Sequence, residues 1–165
     1  MSAIRVAWGT GTGPTRTSAY DAALAGANVH NYNLVTLSSV IPAEVPLEVV
    51  GTAPDLGPAG NSLTVVQGRN AVGLDEESPA VAGLGWAREE SGRGIFYEAG
   101  GRDPDAVRTS IEEGLRRGKE LREWTFVDSE TLVRETTGQE GTHAAVVVCA
   151  AYGESTPLVA KSANF

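Results

Sequence analysis

The chain has 165 residues, 41% of them hydrophobic and 21% charged. This length and composition suit a single domain with a sizeable apolar core. Its one cysteine, Cys149, excludes an internal disulfide framework and a cysteine-based zinc site. The net charge of −8, with only two lysines, Lys119 and Lys161, lacks the basic footprint of a nucleic-acid-binding protein.

The sequence also argues against a membrane protein. No apolar run approaches the roughly 20 residues that a spanning helix needs, and no basic-then-apolar signal pattern opens the chain. We therefore expect a cytoplasmic protein with neither nucleic acid nor a membrane as its partner. The 20 glycines and 8 prolines favour a β-rich fold with many tight turns.

Apolar, β-prone segments predict the strands. In chain order they are 4–8, 47–50, 63–67, 71–74, 79–87, 94–98, 124–127, 132–134 and 143–152, whereas 33–37 is a short apolar segment that ends at Ser38-Ser39. The polar turn 89–93 joins two of them, and the valine-rich last one is expected to be central. Segment 9–14 is rich in Gly and Thr and predicts an irregular loop. It lacks the Lys-Ser/Thr of a P-loop, so a plain turn is favoured over phosphate binding.

Two helices are predicted. The first has Ser18 as N-cap and Asp21 three residues on, an arrangement that by itself explains Asp21 as part of a capping box. The second begins at Asp103-Pro104 and carries an apolar stripe of Val107, Ile111 and Leu115, with Gly114 and Gly118 beside it for close packing onto a sheet. Strands mixed with two helices predict an α+β fold, a layered α/β/β/α sandwich with mainly antiparallel sheets in a single domain.

Few side chains suggest chemistry on their own. Cys149 lies in an apolar strand and is interpreted as a small buried hydrophobe. His30 and His143 show no metal-ligand pattern. Glu98 ends an apolar strand beside aromatic residues, where a carboxyl group can serve in proton transfer, although an exposed strand end is the more common arrangement. Ser38 and Ser39 precede a sharp turn, and no G-x-S-x-G motif supports a serine hydrolase.

The segment Asn33-Leu-Val-Thr-Leu-Ser-Ser-Val-Ile-Pro42 resembles the self-cleavage segment of the pyruvoyl-dependent arginine decarboxylases. Upstream, Ser18-Ala-Tyr-Asp-Ala-Ala-Leu24 resembles a helix of that family at the matching separation. Downstream, Gly94-Ile-Phe-Tyr-Glu98 resembles the strand that carries its catalytic glutamate. The resemblance therefore spans nearly the whole chain.

This resemblance implies that the chain cleaves itself between Ser38 and Ser39, giving a β chain of residues 1–38 and an α chain of residues 39–165. Ser39 would become a pyruvoyl group that forms a Schiff base with the substrate and acts as an electron sink, so that neither PLP nor a metal is needed. The implied reaction converts L-arginine to agmatine and CO₂ for polyamine biosynthesis, in a homotrimer with active sites between subunits.

The resemblance also implies a role for each site residue. Glu98 is the proton donor to the substrate α-carbon, and burial beside Phe96 and Tyr97 favours the neutral acid that this step needs. Asn33 helps to orient the cleavage site or the Schiff-base site. Asp21, Leu24 and Ser38 bind the substrate, with Asp21 facing the guanidinium and Leu24 its aliphatic stem.

Two alternatives remain open from the sequence. Beside the implied arginine decarboxylase, the first is a non-cleaving α+β binding or scaffold domain, and the second is a pyruvoyl decarboxylase of another amino acid.

Overall fold

A computed structural model describes residues 2–74 and 76–160, which form two helices and nine strands. The elements in chain order are β1 (Ile4–Gly13), α1 (Arg16–Ala27), β2 (Asn33–Thr36), β3 (Val40–Ile41), β4 (Leu47–Gly51), β5 (Ser62–Val72), β6 (Ala80–Glu89), β7 (Gly94–Gly101), α2 (Pro104–Glu120), β8 (Phe126–Thr136) and β9 (His143–Tyr152).

The strands form two sheets that pack face to face. One has the order β2-β5-β9-β1-β4 and the other β3-β7-β6-β8. Pairing is antiparallel except between β1 and β4 and between β2 and β5. α1 covers the outer face of the five-stranded sheet and α2 the outer face of the four-stranded sheet. This confirms the predicted layered α+β sandwich with mainly antiparallel sheets.

Strand β9 organises the core, as the valine-rich sequence predicted. It lies between β5 and β1 in the middle of its sheet. Because successive side chains of a strand point to opposite faces, Val146 and Val148 pack between the two sheets. Val147 and Cys149 pack beneath α1. Both faces of β9 are therefore buried, which explains why its sequence is apolar without alternation.

The predicted glycine-rich loop at 9–14 is wrong, because β1 continues to Gly13. This part of β1 pairs with β9 without interruption, from Gly9 opposite Val147 to Gly13 opposite His143. A Cβ at Gly9 would overlap the backbone of α1 at Ala23 and Ala27. The glycines are thus a requirement of close helix–sheet packing and not a sign of irregular structure.

The predicted start of the first helix is also wrong by one turn. Thr15 is the N-cap, with extended backbone, and its side chain accepts a hydrogen bond from the N–H of Ser18. Ser18 is the third helical residue and completes the capping box. Asp21 therefore takes no part in the cap, and its capping interpretation is excluded. Both Thr15 and Ser18 are good capping residues, so the sequence alone did not separate them.

The second helix and the hairpin before it agree with the sequence. Asp103 caps α2, Pro104 begins it, and Val107, Ile111 and Leu115 are buried. β6 and β7 pair antiparallel as predicted. The predicted segments 63–67 and 71–74 are one strand, β5, and 124–127 and 132–134 belong to one strand, β8, that starts at Phe126. Sheet pairing keeps these longer strands extended through their polar residues.

Candidate active site

Ser39 has an unusual backbone conformation. It lies between β2 and β3, where the chain passes from one sheet to the other, and its φ of 67° is in the left-handed region. For a residue with a Cβ this costs roughly 1 kcal/mol or more. The N–H of Phe96 donates to the Ser39 carbonyl at 2.8 Å. The neighbouring strand β7 thus holds this residue in a conformation that it would not adopt alone.

The Ser39 hydroxyl donates a hydrogen bond to Oε2 of Glu98 at 3.2 Å. The contact follows from the sheet register, because Val40 pairs with Ile95 and so places Ser39 beside the next part of β7. Glu98 is half-buried and shares a face of β7 with the buried Phe96. The structure therefore brings together two residues whose roles the sequence resemblance implied.

Tyr97 does not flank Glu98 in the way expected from the sequence. Its side chain points to the other face of β7, where its ring lies against Gly114 of α2. It is 41% exposed. Of the two aromatic residues expected to bury Glu98, Phe96 alone lies on the same face of the strand.

An open cleft of about 620 Å³ lies over Ser39 and Glu98. Ser38, Ser39 and β7 form one wall, and α2 with the residues just after it forms the other. The second wall carries polar and charged side chains, namely Ser110, Glu113, Arg117 and Arg122. A side-chain hydrogen bond from Arg116 lowers the pKa of Glu113, so this wall carries a carboxylate at neutral pH.

Sequence reasoning missed these residues of α2. Ser110, Glu113 and Arg117 are three and four residues apart and so share one face of the helix, beside the apolar stripe. That spacing was the signal in the sequence that could have identified them, but it is weak because an exposed polar face is ordinary for a helix at the surface. Only the position of α2 next to β7 makes it the wall of a cleft.

Tyr152 is a second residue that sequence reasoning missed. Its hydroxyl donates to the Val40 carbonyl at 2.8 Å. Its ring packs at a tilt against Phe96, with centroids 6.1 Å apart. Burial, and then the nearby charge of Glu98, raise the pKa of the Tyr152 phenol well above its usual range. The hydroxyl therefore keeps its proton and acts as a donor at neutral pH.

The other predicted site residues lie in the layer of the five-stranded sheet. Asp21 is exposed on α1, whereas Leu24 is buried between that helix and the sheet. Asn33 begins β2, and its side chain donates to the Gly60 carbonyl at 2.9 Å. None of the three lines the cleft that holds Ser39, and Ser38 does line it. Within one chain, Ser38, Ser39 and Glu98 thus line the same cleft, whereas Asp21, Leu24 and Asn33 lie outside it.

Cys149 is fully enclosed beneath α1, which confirms its interpretation as a small buried hydrophobe. Burial raises the pKa of its thiol to about 12. Within residues 2–74 and 76–160, no group of three or more His, Cys, Asp and Glu side chains is arranged to hold a metal ion. No helix of the described part of the chain is long and apolar enough to cross a membrane.

The sequence model of the family "Pyruvoyl-dependent arginine decarboxylase (PvlArgDC)" matches residues 3–157. The chain belongs to this family. The match confirms the resemblance seen around Ser39 and extends it over both sheets and both helices.

Curated relatives agree with this membership. A pyruvoyl-dependent arginine decarboxylase of Halobacterium salinarum is 49% identical over 159 residues, which cover 96% of this chain and 98% of the relative. Proteins of the same name from Pyrococcus horikoshii and Methanopyrus kandleri are 35% and 30% identical. These matches cover 74% and 87% of this chain, and 80% and 91% of the relatives.

Family membership implies an enzyme of the carboxy-lyase class that uses a pyruvoyl group derived from its own chain instead of PLP. The residues present fit such a group. A serine stands at position 39, its backbone is held in a strained conformation, and its hydroxyl contacts a carboxylate inside a cleft. Phe96, Glu98 and the α2 wall are the groups that would surround it.

Proposed function

We propose that the chain cleaves itself between Ser38 and Ser39 and then decarboxylates L-arginine to agmatine and CO₂. The processed protein would consist of a β chain of residues 1–38 and an α chain of residues 39–165. Membership of the family supports the reaction class. Within this chain, the proposal is carried by the hydrogen bond from the strained Ser39 to Glu98 in an open cleft.

The cleavage uses groups of the chain itself. Ser39 Oγ attacks the carbonyl carbon of Ser38, the peptide C–N bond breaks, and the freed nitrogen takes up a proton. Loss of the Ser39 α-proton then expels the Ser38 carboxylate and leaves dehydroalanine at position 39. Water hydrolyses the imine tautomer of dehydroalanine and releases ammonia, which leaves a pyruvoyl group. The strain at Ser39 supports the first step because cleavage relieves it.

After processing, Glu98 is placed to act on the substrate. The pyruvoyl group supplies a carbonyl that withdraws the electrons released as CO₂ leaves. Glu98 lies within hydrogen-bond distance of the residue 39 side chain, so its carboxyl group can protonate the substrate α-carbon there.

We propose further that three copies of the chain complete the site. Asp21 and Asn33 do not line the Ser39 cleft of their own chain. Apolar side chains at that cleft are exposed to solvent, among them Val40, the neighbour of Ser39, at 48% and Leu121, which lines the cleft, at 82%. Contact with a second copy would cover this surface. It would also bring Asp21 to the substrate guanidinium, with Leu24 beside the aliphatic stem and Asn33 near the cleavage site.

Mixed subunits test the shared site. Glu98→Gln and Asp21→Asn variants are each expected to be processed and to have low turnover. If Glu98 of one copy works with Asp21 of another, co-expressed variants will form some sites with both wild-type residues and will regain activity. A site contained in one chain would give no recovery. Light scattering on the same samples is expected to give three times the mass of one chain, and a monomer would contradict the proposal.

Substrate identity is tested with purified protein and a panel of amino acids. We expect agmatine from L-arginine, and a fall of at least about tenfold in kcat/KM for arginine in Asp21→Asn. Asp128→Asn, an exposed carboxylate on β8, is the matched control and is expected to be unchanged. An unchanged arginine preference in Asp21→Asn would show that another residue contacts the guanidinium. Glu113, which lines the Ser39 cleft, would then be the next carboxylate to substitute. Faster turnover of another amino acid would contradict the assigned substrate.

We place the reaction in the cytoplasm. The one cysteine is unpaired and buried, as is usual in a reducing compartment. Fractionation of the native cells tests this, and recovery of the protein outside the cytoplasmic fraction would contradict it.

A further inference from the structure

The chain next to Ser39 is held by very few backbone contacts. Strand β3 has only two residues and lies at the edge of its sheet, where it pairs with β7 alone. The Ser39 carbonyl accepts from the N–H of Phe96. In an antiparallel pair, successive residues direct their backbone groups to opposite sides. The carbonyl of Val40 therefore faces away from β7 and has no partner within that ladder.

Tyr152 supplies the missing partner. Its hydroxyl, at the end of β9 in the other sheet, donates to the Val40 carbonyl at 2.8 Å. The Tyr152 ring packs against the ring of Phe96, and the backbone N–H of Phe96 donates to the Ser39 carbonyl. The bond from Tyr152 thus connects the two sheets at the cleavage segment. No other side-chain hydrogen bond to Val40 occurs in the part of the chain that the structure describes.

We infer that Tyr152 is a positioning residue, whose hydroxyl holds the Val40 carbonyl and so keeps residue 39 in the cleft beside Glu98. The inference rests on the proposed cleavage. Before cleavage, the covalent bond to Ser38 also restrains residue 39. After cleavage, residue 39 is the end of a chain, and the Phe96 amide and the Tyr152 hydroxyl are the partners of the two backbone carbonyls nearest to that end. The contact therefore matters most in the processed protein.

The test compares Tyr152→Phe with Tyr32→Phe in the full chain. Tyr32 also donates its hydroxyl to a backbone carbonyl, that of Gly57 at 3.1 Å, and accepts from the N–H of Leu56. Its variant loses two hydrogen bonds, against the one lost in Tyr152→Phe, and neither of them touches the cleavage segment. Intact mass, hydrogen exchange of the peptide that begins at residue 39, and steady-state kinetics with arginine are measured on wild type and both variants.

We expect wild type and both variants to be cleaved. In Tyr152→Phe, exchange of the peptide beginning at residue 39 will be faster than in wild type. Its kcat will fall by at least about tenfold while KM stays within about twofold, because misplacement of the reacting group affects turnover more than binding. Tyr32→Phe will match wild type in exchange at residue 39 and in kcat. Slower cleavage of Tyr152→Phe with a wild-type melting temperature also supports positioning.

Replacement of Tyr152 by 4-aminophenylalanine provides the rescue. The amine keeps a hydrogen-bond donor near the same place, so exchange and kcat are expected to return toward wild type. This variant also decides the question if Tyr152→Phe does not fold. Failure of the rescue would overturn the inference, as would wild-type exchange in Tyr152→Phe, whatever its kcat. An uncleaved wild-type protein would instead overturn the proposed function.

Discussion

The two helix–sheet layers pack differently, and the difference locates the site. α1 lies so close to β1 that side chains at Gly9 and Gly11 would overlap the helix backbone. α2 packs through the larger Val107, Ile111 and Leu115 and leaves an open cleft along one side. Ser39 and Glu98 lie in that cleft. In the first layer the helix backbone thus lies directly against strand glycines, whereas in the second the side chains of α2 meet the strand glycines and an open cleft remains beside the helix.

The largest effect is expected in the open layer, from Glu98→Gln. The Gln amide oxygen can still accept the Ser39 hydrogen bond, so we expect cleavage to persist. Turnover should fall by about 10² to 10⁴, because the amide cannot donate the carboxyl proton. Gel analysis and agmatine release measure the two steps separately. Glu90→Gln, at an exposed position in the β6–β7 turn, is the control. An uncleaved Glu98→Gln would assign this residue to the earlier step.

In the layer of α1, Gly9→Ala is expected to act on stability. The new Cβ would meet the backbone of α1 at Ala23 and Ala27, which no side-chain rotation relieves. Overpacking of this kind costs about 3 kcal/mol of unfolding free energy. Urea denaturation measures it. Gly138→Ala, whose Cβ would find its nearest neighbour at an ordinary 3.8 Å, is the control, and equal stability of the two variants would contradict the comparison.

Gly114→Ala makes the same change in the open layer and is expected to be milder for stability. Its Cβ would overlap the ring of Tyr97, a partly exposed side chain that can rotate away. Alanine also gains up to about 1 kcal/mol over glycine within a helix, so we expect a net change in stability within about 1 kcal/mol. The displaced ring and the new methyl narrow the cleft, so KM for arginine should rise. A stability loss as large as that of Gly9→Ala would contradict the difference between the layers.

The smallest effect is expected at Cys149. Burial raises the pKa of its thiol to about 12, so the folded protein should not react with an aromatic disulfide reagent at pH 8. Because the folded-state pKa is raised, this group favours the folded state below its unfolded pKa of about 8.5. That contribution is lost as the pH rises toward 12. Absorbance of the released thiolate checks the first point, and rapid labelling of folded protein would contradict it.

The sequence predicted those parts of the fold in which local pattern and tertiary packing agree. β9 is apolar on both faces and is central, and α2 has a clear cap and a clear stripe. β1 was predicted too short because glycine and threonine are typical of loops. Here they serve the close approach of α1, which only the assembled layers reveal. The cap of α1 was predicted one turn too late, because Thr15 and Ser18 are both good capping residues and stand three residues apart.

The candidate site likewise contains residues that the sequence identified and residues that it did not. Ser39 and Glu98 were identified through the resemblance, and the pairing of β3 with β7 brings them into contact. Tyr152 was not identified, because it meets Val40 across 112 residues of sequence and from the other sheet. Ser110, Glu113 and Arg117 had only an ordinary exposed helix pattern. Local patterns carry no information on which exposed face will border a cleft.

The intact mass of the purified protein tests the central claim most directly. We predict two polypeptides, residues 1–38 ending in a free carboxylate and residues 39–165 beginning with a pyruvoyl group. The sum of their two masses should exceed the mass of the uncleaved chain by the mass of one water minus that of one ammonia. Ser39→Ala should give one folded chain, and Ser38→Ala should still cleave, because only the Ser38 carbonyl takes part. A single wild-type polypeptide of 17.2 kDa would contradict the account.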